Sequence, residues 1–220
     1  MDADRATADG SSGTDGWLAA AAGLVAGALG FAAVFGVTAL QQRDRAAREP
    51  DFADALAAAF GSDAGRVLSG IADWLEPDPT QVVAWVTYAS HRIPLRVDAE
   101  AFGNTARRTV DVQSLSVWSD FLAYLPPVVL FAAGVAVVGL AGVDRLSRAW
   151  QPGVAVAAGY VAAALVAFRA ASYERSLGVA ALAVAPDPVT VALHTAAYAV
   201  VFGLGGALAA AIVRSALADG

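Results

Sequence analysis

The sequence predicts an all-α membrane protein, with four transmembrane helices and an inserted polar, mixed-structure segment between helices 1 and 2. Three observations carry this expectation. The chain has 220 residues, of which 58% are hydrophobic and 15% charged; soluble chains carry about 25% charged residues. Its apolar residues gather in long charge-free blocks. The clearest block, Phe121–Val143, runs 23 residues between Asp120 and Asp144, and as a helix it would reach about 34 Å, enough to cross a bilayer core.

In chain order, residues 1–16 are small, polar and acidic, and read as a disordered tail. Residues 17–40 form the first span, with Trp17 as interfacial anchor. A signal peptide fits poorly, because the leader is acidic and the apolar run too long. Residues 41–120 are the polar extramembrane segment. Within it Asp51–Phe60 and Ser62–Leu75 show helical spacing, and Glu76-Pro77-Asp78-Pro79 is a break. Val82–Tyr88 fits either a strand or a buried helix, and Thr109–Val112 alternates as a short strand would. The second span covers 121–143, the third 153–170 and the fourth 190–213. Ser176–Ala185 is apolar but too short to cross, and reads as interfacial or as a short extension of the bundle. Seven arginines near span ends on the long-loop side against four on the termini side favour a cytoplasmic long loop. The acidity of that loop argues the other way.

All 14 basic residues are arginine, and the net charge is −6. Nucleic acid is therefore excluded as a partner, since phosphate binding needs clustered cations. The acid excess and the absence of lysine point to a salt-loving organism. There is no cysteine, which removes disulfides and thiolate chemistry. Serine-nucleophile motifs, phosphate-binding glycine loops and HExxH are missing as well. The expectation is a non-enzymatic protein of the cell membrane, multi-pass, without cofactor, catalytic residue or metal site. Its partners would be the lipid bilayer and either a membrane partner protein or a second copy in a homo-oligomer. A small-solute transporter or channel subunit is the alternative.

Two groups of residues stand out. Trp85, Tyr88, His91 and Arg92 are the densest set of specific side chains in the polar segment, and form a candidate interaction patch or an aromatic packing surface. Gly23, Gly27, Gly159, Gly203 and Gly206 allow close helix packing, or thin the helices along a pathway. Pro126 and Pro127 sit either in the first turn of the second helix, where the missing N–H groups are harmless, or inside it as a kink. His194 lies about one turn into the fourth span. A neutral imidazole bonded to a backbone carbonyl is expected there, rather than a proton relay.

The runs WVTYASH followed by IPL, YLPPVVLFAAG, GVAVAAGY and VFGLGGALAA resemble an uncharacterised family of small haloarchaeal multi-pass membrane proteins, a domain of unknown function. The resemblance extends from Trp17 onward. It implies a habitat and a membrane location, and carries over no functional residue.

Overall fold

The computed structural model describes residues 11–46, 77–101, 104–115, 117–143, 146–176, 178 and 180–218. The expected tail over residues 1–10 and the amphipathic helices Asp51–Phe60 and Ser62–Leu75 lie outside these. Helix α1 is Ser11–Ala46, so Ser11–Gly16 continue the helix rather than belong to a tail; adding residues to a long helix is far easier than starting one. Then come α2 (Pro79–Ala89), strands β1 (Leu95–Ala101) and β2 (Asn104–Val110), and a 3₁₀ turn Asp120–Tyr124 that leads into α3 (Leu125–Leu140). Helix α4 (Leu146–Ala167) ends in a second 3₁₀ turn, Phe168–Ala171, and β3 (Tyr173–Ser176) and β4 (Ala180–Pro186) follow. The chain closes with α5 (Pro188–Tyr198), a π turn Ala199–Leu204, and α6 (Gly205–Ala218).

Among the described residues, four helical stretches are long and apolar enough to cross a membrane: Gly16–Gln42, Asp120–Leu140, Arg148–Ala171 and Pro188–Ala218. Only 28% to 39% of each apolar window is buried by protein. Large apolar side chains such as Leu29, Val128, Val166 and Val201 point outward, as lipid-facing residues do. The chain divides into two units, residues 1–31, 127–163 and 196–220, and residues 32–126 and 164–195.

In the first unit, helices meet at glycines. A Cβ on Gly27 would strike the Val156 carbonyl and come within 2.7 Å of Tyr160 N. A Cβ on Gly159 would strike the Leu24 carbonyl, so α1 and α4 touch backbone to backbone from both sides. Gly134 and Gly206 repeat the arrangement between α3 and the last helix, meeting the Gly203 and Phe131 carbonyls respectively. In lipid, such close packing replaces the hydrophobic drive that water would supply. Phe31 meets Tyr160 edge to face at 5.4 Å. Pro126 and Pro127 fall in the first turn of α3, where no intrahelical N–H is needed. The π turn was not foreseen, and neither was the position of Pro152 inside α4.

The second unit holds a four-stranded antiparallel sheet of order β2-β1-β4-β3. The mixed structure of the polar segment is therefore completed by the third-to-fourth connection. Ser176–Ala185, expected at the interface or as a bundle extension, instead supplies most of the inner strand β4. Leu182, Val184 and Pro186 are buried alternately with Ala181, Ala183 and Ala185, but alanine at every other position hides the period from a hydrophobicity reading. Val82–Tyr88 resolves as helix. Asp78 accepts from Thr80 N, Gln81 closes the capping box, and Pro79 takes the first turn, so the proline-rich break is a helix start. Buried Thr38, Thr87 and Thr195 each donate to the carbonyl four residues earlier.

Replacing Gly27 or Gly159 by valine should destabilise the chain by about 2 kcal/mol or more through overpacking. Gly36→Ala, where a Cβ meets nothing within 4 Å, should be neutral or slightly stabilising. Thermal unfolding of the detergent-solubilised variants separates the two.

Candidate functional site

The polar side chains of the second unit converge on α2 and the turn after it. The turn is a Schellman cap: Ile93 N donates to Tyr88 O at 3.2 Å and Arg92 N to Ala89 O at 2.9 Å. Arg92 occupies the left-handed position, with φ 57°. Glycine is the usual residue there, and a side chain costs roughly 1 kcal/mol.

Trp85 Nε1 donates to Ala171 O at 2.7 Å, and the Tyr88 hydroxyl to Ala164 O at 2.6 Å. These two bonds lay α2 along the last turns of α4, in the opposite direction. Gln113 Nε2 donates to Ala89 O at 2.8 Å, a second donor to a carbonyl that also accepts from Arg92 N in the cap. Trp85 also meets Tyr173 edge to face at 6.3 Å.

His91 is completely buried. Its Nδ1 lies 2.8 Å from Thr87 O and 3.2 Å from Ser90 Oγ. A carbonyl only accepts, so Nδ1 carries the proton and Nε2 the lone pair. His194 Nδ1 lies 3.2 Å from His91 O and by the same argument donates to it. That carbonyl bond is the role expected of His194. Burial chiefly, with repulsion from His194, lowers the His91 pKa to about 4, against the opposing effect of the Thr87 carbonyl. Burial raises that of the Tyr88 hydroxyl. Backbone and side-chain bonds from Thr190 hold the Asp187 carboxyl low, and Arg96 at 3.4 Å adds to this.

Of the expected patch, Trp85, Tyr88 and His91 are buried and only Arg92 is exposed. The first three serve as packing and as bridges to main-chain carbonyls; they offer no recognition surface. The reason is that each can reach a carbonyl at a helix end, which neutralises its polar atom and permits burial. Among the glycines, Gly23, Gly27, Gly159 and Gly206 stand where a Cβ would collide with a neighbouring helix, and Gly203 lies 3.3 Å from Val156 by the same measure. They are packing residues. Sequence reading missed Gly134, which faces Gly203 and Ala207, and also missed the β1–β2 hairpin. Thr105–Thr109 of β2 are all exposed; the Asp98–Arg107 pair across the hairpin was the available signal. Among the described residues no three metal-ligating side chains gather.

The pKa of folded His91 lies below its unfolded value of 6.5, so as pH falls the unfolded state takes up the proton first. Stability conferred by neutral His91 is full above about pH 6.5 and declines toward pH 4, by on the order of 3 kcal/mol. Thermal unfolding should show this loss in the parent chain and a flatter profile in His91→Asn.

No curated protein and no solved structure matches the chain. The profile of a family of unknown function does, over residues 1–214. On that match, and with four candidate membrane-spanning helices, the chain belongs to DUF7978, a family of unknown function.

Proposed function

We propose that this is a non-enzymatic multi-pass protein of the cell membrane that acts by holding a partner protein on its β1–β2 hairpin. The observation that carries the reading is β2. It is an outer strand of the sheet, and its residues Thr105–Thr109 are exposed on both faces. An open strand edge is a template for adding another strand, and proteins otherwise cover or shorten it. A second copy pairing β2 to β2 would bring two sets of Arg107 and Arg108 together, and like charges opposed across strands are unfavourable. A different chain with carboxylates facing Arg108 fits better. The lysine-free, acid-rich composition supports an archaeal, high-salt setting.

A second reading, a small-solute transporter or channel subunit, draws support from the π turn Ala199–Leu204 in the fourth span, since such turns often mark functional sites. Against it, the Gly27/Gly159 and Gly134/Gly206 contacts leave no gap at the points where those helices cross.

A photo-crosslinking residue at Thr105 or Thr109 in native membranes should give a discrete adduct with another protein. The same residue at outward-facing Val128 should not. Charge reversal at Arg107 and Arg108 should lower the adduct yield severalfold. A hairpin that gives no adduct, or one no different from that at Val128, sinks the partner reading.

A further inference from the structure

Residues paired directly across strands point to the same face of a sheet. The register therefore sets Tyr173, Val184, Val97 and Arg108 in one row. The first three are buried, and the row ends at the open edge in an exposed arginine. Arg107 lies on the opposite face, paired with Asp98, whereas Arg108 has no carboxylate partner among the described residues. The next row holds Leu182, Ala99 and Ala106, so two alanines leave room beside Arg108. The main chain of β2 is divided in the same alternation. Ala101 pairs with Asn104, three residues on, and a pair that close in a hairpin is a hydrogen-bonded one. Counting in twos, Ala106, Arg108 and Val110 bond inward to β1. The N–H and C=O groups of Thr105, Arg107 and Thr109 point to the open edge. The edge at β3 is only four residues long, and shortness itself protects an edge. Strand β2 runs seven.

We propose that this edge selects its partner by a pattern, an inference that rests on the partner reading above. The occupant is an extended segment of another protein with a carboxylate opposite Arg108. Two positions along it, a large apolar side chain fills the room over Ala106 and Ala99. Main-chain bonds to Thr105, Arg107 and Thr109 hold the segment in place. The spacing of two follows from the period of a strand. A charge on the inward face of an edge strand repels apolar strands in general, because covering it unpaired is costly. A carboxylate set against it removes that cost and adds a charge-assisted bond. Rejection of wrong strands and acceptance of the right one thus reside in one residue, Arg108.

The test uses the full chain in native membranes with the photo-crosslinking residue at Thr109, and reads adduct yield. Thermal unfolding of the same variants in detergent reports folding. A parent chain that gives no adduct overturns the partner reading, and the pattern with it. Where the parent gives one, the variants test the pattern alone. Arg108→Glu should lower the yield about fivefold, the worth of one cross-strand charge pair. Arg108→Lys should keep most of it, and Arg107→Gln should leave it unchanged. Equal yields from Arg108→Glu and the parent overturn the carboxylate, since a charge that merely guards the edge works with either sign. Ala106→Leu fills the room beside Arg108 and should lower the yield severalfold; an unchanged yield overturns the apolar contact. Thr105→Pro removes an N–H that the sheet does not use. It should cut the yield severalfold while the chain unfolds within about 2 °C of the parent. A full yield from folded Thr105→Pro overturns the added strand.

Discussion

Helix ends leave backbone carbonyls without an intrahelical partner, and the buried polar side chains of the second unit are arranged around main-chain carbonyls. Ala164 and Ala171 at the end of α4 are met by Tyr88 and Trp85, and His91 after α2 by His194, while Gln113 adds a second donor to Ala89. Gln42, near the end of α1, donates to Val117 O in the connection before the Asp120–Tyr124 turn, at 3.1 Å. Each bond joins chain segments far apart in sequence, so satisfying the main chain and fixing the tertiary structure are one event. An uncovered buried carbonyl would cost about 1–3 kcal/mol. That is enough to explain why the polar side chains of this unit are drawn inward rather than displayed.

The first unit solves a different problem. Its helices have few polar groups to exchange, and lipid offers apolar surface as readily as another helix does. Contact must come from shape. Gly27 against Val156 and Gly159 against Leu24 bring main chains so near that even a methyl group is excluded. The same logic joins Gly134 and Gly206 to the facing carbonyls. Tyr160, wholly buried beside Phe31, fills the volume that the glycines leave along α4.

Much of this was legible in the sequence. The four apolar blocks show the helices because hydrocarbon thickness sets a length that chance rarely supplies. The small-residue spacing shows which helix faces approach, though not which helices pair, since glycine carries no mark of its partner. The sheet was harder to read. Its inner strand β4 alternates leucine and valine with alanine, and alanine counts as apolar on either face. The cluster Trp85, Tyr88 and His91 was visible as chemistry but not as burial, because the carbonyls that accept from Trp85 and Tyr88 lie 86 and 76 residues away, and a local pattern holds no record of them.

The order of strands has a bearing on biogenesis. The inner pair β1 and β4 come from two different connections between spans, so the sheet remains half a sheet until the third span and β4 have been made. At a synthesis rate of about 5–20 residues per second, β1 waits on the order of ten seconds for its partner. During that interval both edges of the hairpin are open. Closure of β1 on β4 then ties the early half of the chain to the late half, and the completed sheet is a built-in sign that the first three spans have been made before the fourth begins.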